Sequence, residues 1–353
     1  MGSFAFNKLA TISMRKFACL LFIAIFPAVH AIELDSLKFK PKIEGTIRAK
    51  CEYNTNLDAY RFQVRNARFS VNGNFSPIVY YKAEIDLSDE GVTKMLDAYL
   101  RFLPTKAWSI TLGQQKIPFS TDNLRAPYQL YFANRSFIGK QITGLRDVGI
   151  TIMFSNRMKV PLSMQFGIYN GDGIYNQQEW QKRLCFASRF EIFPIKNFEI
   201  SLNYNSIVPE YYRMHFFDLG SYVNFNGWHF ETEYVYKIYQ NHFFPKTTAF
   251  YVFGAYDIPI RKPFLKKITP LIRFDRMTDN NNGYVFDNNT PDDKSDDYYN
   301  VTDVARKRIT SGLTFSLNKP FLNDIRLNYE KYFYSQGIAD KDDKLVVEAV
   351  VRF

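Results

Sequence analysis

From Lys38 to Cys51 the chain reads KFKPKIEGTIRAKC, and apolar and polar residues alternate along it with period two. Phe39, Pro41, Ile43, Ile47, Ala49 and Cys51 fall on one face of a strand, and Lys38, Lys40, Lys42, Glu44, Thr46, Arg48 and Lys50 on the other. One face suits an apolar solvent and the other, mostly cationic, suits water. The wall of a transmembrane β-barrel, with lipid outside and a water-filled lumen inside, satisfies both. The pattern recurs in sixteen segments, near 37–51, 61–74, 78–88, 93–103, 107–117, 146–156, 162–170, 182–193, 198–207, 215–225, 228–238, 247–258, 267–277, 306–317, 324–334 and 344–353. Their length of roughly ten residues is what a tilted membrane strand needs, and an even number allows both termini on one side.

The connections sort into two kinds. Every second junction is short and carries a turn former: Pro77, Pro104, Pro161, Pro194, Asn226-Gly227, Pro259 with Pro263, and Pro320. The alternate junctions are usually longer and more polar, as in barrels with short periplasmic turns and long external loops. Residues 118–145, between the fifth and sixth segments, form a long cationic and aromatic connection carrying Arg125, Arg135 and Lys140 against one acid, Asp122. Residues 278–305 form the other, rich in aspartate. With no fixed ligand spacing, that segment is read as an acidic external loop, and no metal site is expected there.

Composition strengthens the β reading. The chain has 34 Phe and 24 Tyr in 353 residues, types that suit strands and interfacial girdles. Mean hydropathy is −0.27, and past the leader no stretch approaches the roughly 18–20 apolar residues a membrane helix requires. Met14-Arg15-Lys16, the apolar run from Phe17 to Phe26 and Pro27-Ala28-Val29-His30-Ala31 read as a signal peptide over 1–31, with Met1 or Met14 as the start. That leaves 32–353 as one outer-membrane barrel domain, exported in a Gram-negative cell. Removing Lys8, Arg15 and Lys16 takes the 45 basic residues to 42 against 35 acidic, a mature net charge of +7. In a secreted barrel such an excess points to small anions before nucleic acid.

Other chemistry is sparse. Cys51 and Cys185 remain after the leader and are read as apolar fillers, with a disulfide between them as the alternative. His215, His229 and His242 have no metal-ligand spacing and no nucleophile motif around them, so neither enzyme activity nor a cofactor is expected; His229 beside Glu231 is read as a lumen pair. The chain ends with Leu345, Val347, Ala349, Val351 and Phe353 in phase, which resembles the terminal-strand signal read by the barrel-insertion machinery.

Four motifs then point to a family. Leu112-Gly113-Gln114-Gln115-Lys116-Ile117-Pro118-Phe119-Ser120, Asn134-Arg135-Ser136-Phe137, Arg146-Asp147-Val148-Gly149-Ile150 and Gly167-Ile168-Tyr169-Asn170-Gly171-Asp172-Gly173 together resemble the phosphate-selective porin O and P family. Arg65-Asn66-Ala67-Arg68 resembles its arginine-rich second strand, with Asn66 where an adjacent arginine is common, and Ala133-Asn134 replace an acidic neighbour of the loop arginine. The resemblance implies a trimeric, sixteen-stranded channel for phosphate or related anions, set among outer-membrane lipids and narrowed by an inward loop. On that analogy 118–145 is the constriction and Arg135 its best-matched cation.

Lumen cations lower the cost of moving a partly dehydrated anion through a narrow passage. The candidate anion-contacting residues are Arg135, Arg125 and Lys140 on the loop and Lys42, Arg48, Lys50, Lys82 and Arg101 on the wall. Later segments place Arg183, Arg189, Arg273, Arg326 and Arg352 on the polar face together with many acids, so the wall is mixed. A phosphate-favouring anion porin is the main reading. A general or weakly selective porin of the same fold, or a non-conducting adhesion or structural barrel, are the alternatives.

Overall fold

In a computed structural model the alternating segments close into a barrel. The structure describes residues 41–353 apart from 145, 157–158, 172, 210–211, 261, 284–300, 319–322 and 336–341. The leader, Lys38, Lys40, Asp172, Pro320 and most of the 278–305 segment lie outside the described residues. The strands are β1 Lys42–Asn54, β2 Ala59–Ser76, β3 Val79–Asp89, β4 Val92–Phe102, β5 Trp108–Lys116, β6 Arg146–Asn156, β7 Leu162–Tyr169, β8 Cys185–Ile192 and β9 Phe198–Ile207. They continue with β10 Met214–Phe225, β11 Trp228–Tyr239, β12 Thr247–Tyr256, the two-residue β13 Ile258–Pro259, β14 Leu265–Met277, β15 Arg306–Leu317, β16 Asn323–Tyr334 and β17 Lys344–Arg352. Neighbours in sequence pair antiparallel, β12 pairs directly with β14, and β1 pairs with both β2 and β17. The ring therefore closes with sixteen strand positions, and β13 only prolongs the β12–β14 edge.

Burial is inverted relative to a soluble protein. Arg326, Glu330, Glu348 and Asp275 are 0% exposed, whereas Ile43 is 68% and Phe62 80% exposed. Charged residues are inside and apolar ones face outward, as a lipid-embedded barrel requires. The phase read from β1 holds: Thr46, Arg48 and Lys50 are buried, and Ile43 and Ile47 are exposed. A β-bulge between β1 and β2 breaks the alternation there. Arg48 pairs with Asn66 and Ala49 with Val64, so Arg65 has no partner on β1 and both Arg65 and Asn66 turn inward.

Asn226 and Gly227 make the tightest short turn, both with positive φ, 48° and 86°. Two expectations shift. Arg183 precedes β8 and is exposed, so it is no wall residue; the predicted 182–193 segment starts three residues early because its first positions carry no apolar alternation. Pro259 lies within β13, at a strand edge where its missing N–H costs nothing, and the turn comes after it. Cys51 is half-buried on β1, and Cys185 is buried on β8, where an added Cβ at Gly171 would stand 2.4 Å from its sulfur.

The interior has an apolar side that alternation did not reveal. Phe119, Phe132, Phe137, Ile138 and Ile142 from the 118–145 segment join inward residues of β10, β11 and β12, among them Phe216, Val235, Ala249, Tyr251 and Phe253, in one buried cluster. Those wall positions are apolar because the segment packs on them in place of water.

Candidate functional site

The 118–145 segment is fastened first to itself. Ser120 Oγ accepts from the Asn123 N–H at 3.2 Å and caps a single helical turn, Thr121–Leu124. The Asp122 carboxylate accepts from Ser136 N–H at 3.0 Å and Ser136 Oγ at 2.8 Å, tying the start of the segment to its middle. Gly139 is required at this latch, since a Cβ there would lie 2.3 Å from Asp122 Oδ2. Wall side chains then hold it from several directions. Glu233 on β11 accepts from Thr121 N–H at 2.8 Å and Asp122 N–H at 3.2 Å. Arg48 on β1 donates to Ala133 O at 2.7 Å, Arg308 on β15 to Arg135 O at 2.7 Å, and Arg273 on β14 to Asn134 O at 3.1 Å. Asn328 on β16 accepts from Ala133 N–H at 2.8 Å, and Asn134 donates to Glu330 at 2.9 Å. The positions where the family resemblance is weakest, Ala133 and Asn134, are thus fully engaged with the wall.

The candidate cations divide by their partners. Arg48 donates to Glu348 at 2.9 Å and to Asn66 at 3.1 Å. Lys50 pairs with Glu52 at 2.9 Å, and Lys82 with Glu84 at 2.6 Å and Asp97 at 2.7 Å. Lys42 sits exposed at the short-turn rim, 2.7 Å from Glu44. Arg101 donates to Thr111 Oγ1 at 2.9 Å and lies over the Tyr99 ring; it has no ion pair among the described residues. On the segment, Arg125 grips Glu231 through both terminal nitrogens. Burial opposes its charge, but the carboxylate outweighs this and leaves Arg125 more basic than an ordinary arginine. Arg135 instead donates to the carbonyls of Asp122 and Arg125, with the Asp122 carboxylate 3.8 Å away. Burial lowers its pKa to about 10, because carbonyl dipoles and a distant carboxylate replace its hydration incompletely. Lys140 is half exposed and 4.0 Å from Glu90.

Four of these groups meet. Arg48, Lys50, Arg135 and Lys140 line a cavity of about 150 Å³ on the long-loop side of the segment, together with Arg61, Arg65, Arg308 and Lys344; the acids on its lining are Glu52 and Glu90. Lys42, Lys82, Arg101 and Arg125 do not reach it. Sequence reasoning missed Arg61, Arg308 and Lys344 and gave Arg65 no site role. Arg308 was visible in principle, since it shares strand parity with the buried Thr310, but Arg65 is turned inward only by the bulge. Among the described residues no group of His, Cys, Asp or Glu is arranged to hold a metal. His229 faces Asn224 at 2.6 Å and Glu231 at 3.0 Å, as a lumen pair.

The family model for phosphate-selective porin O and P matches residues 45–188. No curated protein matches the chain. Among solved structures, an anion-selective porin from Comamonas acidovorans superposes with a TM-score of 0.60 at 11% identity, covering 90% of this chain and 100% of that one. The outer membrane channel DcaP of Acinetobacter baumannii gives 0.59 at 13% identity, over 89% of this chain and 97% of that one. OprB of Pseudomonas putida gives 0.60 at 10%, over 89% and 94%. At such identities the likeness is one of fold. Closed ring, inverted burial and matched motifs agree on an outer-membrane barrel of the porin type, in which residues 45–188 are similar to the phosphate-selective porin O and P family.

Proposed function

We propose that this barrel is a general diffusion porin with a bias toward small anions, phosphate among them, and that the 118–145 segment narrows its passage. The observation that carries the bias is the cavity lining, eight basic residues against two acidic ones. What argues for weak selectivity is the state of those bases. Arg48, Lys50, Arg65 and Arg308 are each bonded to a carboxylate, so they shape a field more than they offer open ligands. A dedicated phosphate trap would need several uncommitted donors converging on one point. The Comamonas acidovorans relative in fold is described as anion-selective, in line with this reading. Assembly as a trimer belongs to it too, as the Vibrio cholerae OmpT barrel, similar at 10% identity, is described in trimer form.

The test is a planar-bilayer reversal potential under a tenfold KCl gradient. Chloride preference is the expected sign, with only shallow block by added phosphate. Cation preference or absent conduction would refute the anion bias, and block by micromolar phosphate would favour a dedicated site over the general channel.

A further inference from the structure

One charge arrangement lies on the wrong side of the wall. On β14 and β15 the inward residues Asp275 and Arg308 are buried, so alternation sends Arg276 and Lys307 to the outer, lipid-facing surface, where both are exposed. They stand directly opposite each other across the strand pair. Phe250 on β12 is the register partner of Arg276, and Phe333 on β16 that of Lys307, so the row reads Phe, Arg, Lys, Phe across four adjacent strands. Neither cation has an ion pair, hydrogen bond or ring contact among the described residues. Among the described residues the acids nearest in the chain at that end are committed elsewhere: Asp279 to the Ala305 N–H, and Asp303 to Arg306 and Asn280.

Like charges placed opposite in an antiparallel pair repel, and cations on a lipid-facing surface are unfavourable in proportion to their depth. Both penalties vanish when one anion bridges the pair. The row lies at the long-loop edge of an outward apolar band, which continues along the same strands through Val252, Ile272 and Ile309, all exposed. We propose that Arg276 and Lys307 bind a phosphate group of a membrane lipid from the leaflet at the long-loop end, whose acyl chains lie along that band. Arg276 presents a planar fork to two phosphate oxygens and Lys307 a point charge to a third. Phe250 and Phe333 flank the headgroup at the interface, where aromatic rings partition. A lipid is favoured over free phosphate because the apolar strip continues from the charged pair, and over a second copy of the chain because nothing acidic is presented on this row.

The experiment uses the full-length barrel in neutral detergent, titrated with diphosphoryl lipid A or its dephosphorylated form and read by native mass spectrometry. The wild type should retain the phosphorylated lipid at least tenfold more tightly. R276Q/K307Q should lose that preference, and K106Q/K159Q, at the opposite rim, should keep it. Heat-modifiable gel mobility reports folding of each variant, and R276K should retain most of the preference. Equal binding of the two lipids by the wild type would overturn the proposal without any variant. An unchanged preference in R276Q/K307Q would also overturn it, as would displacement of the lipid by millimolar inorganic phosphate, or loss of oligomers with lipid binding intact.

Discussion

Tyr169 shows at a single residue what the matched motifs are for. Its ring is 1% exposed, and its hydroxyl lies 2.7 Å from Thr151 Oγ1. It lies across two glycines: a Cβ at Gly167 would come within 2.2 Å of the Tyr169 hydroxyl, and one at Gly149 within 2.1 Å of the Ile168 carbonyl oxygen. Two of the four motifs therefore interlock on the β6–β7 wall, as aromatic rings do over glycines in barrels. The two glycines differ in what must yield. At Gly167 only the tyrosine ring is in the way, whereas at Gly149 it is backbone. G149A should then destabilise the barrel by about 1–3 kcal/mol, the usual range for overpacking, and G167A by less. The midpoint of urea unfolding from detergent, followed by tryptophan fluorescence, decides this, and equal midpoints for both variants and the wild type would remove the argument.

At the scale of an element, the 118–145 segment is held by its own acid as much as by the wall. Asp122 accepts two hydrogen bonds from Ser136 and stands near the Arg135 guanidinium. In D122N a charge-assisted acceptor becomes a neutral one, a loss of roughly 1.5–3 kcal/mol of local stability. The expected result is a barrel that still folds but shows noisier single-channel current and faster proteolysis within 118–145. Quiet channels and an unchanged cleavage rate would mean the wall bonds alone suffice. The sequence showed this element's existence, its length and its cations, because charge and length are local properties. It did not show that the lone acid was the latch, since that depends on Ser136 folding back by a distance no periodicity encodes. The same limit explains the inward apolar residues of β10 to β12, such as Val235 and Phe253, whose partners come from another part of the chain. By contrast the sixteen strands and their phase were legible, because a wall between lipid and water imposes period two on each strand independently. It failed where a bulge intervened, as at Arg65 and Asn66.

For the whole molecule, the distribution of charge sets how an anion bias would respond to salt. The cations on the cavity are spread over β1, β2, β15, β17 and the 118–145 segment, and most hold a carboxylate. On the proposed reading, their effect on a passing ion is the residual field of the cavity, not a contact. Such a field is screened over the Debye length, which falls from about 10 Å at 0.1 M salt to about 3 Å at 1 M. A contact site would keep its preference over that interval, because an ion touching its ligands is hardly screened from them. Reversal potentials at a fixed tenfold gradient should therefore show an anion preference that shrinks several-fold when mean salt rises from 0.1 to 1 M. K140E, which reverses the half-exposed cation on the cavity, should reduce the preference at low salt and leave the high-salt value nearly unchanged. A preference that persists at 1 M in both proteins would place selectivity in a contact site, and the buried, carbonyl-bound Arg135 would be the first residue to examine by R135K.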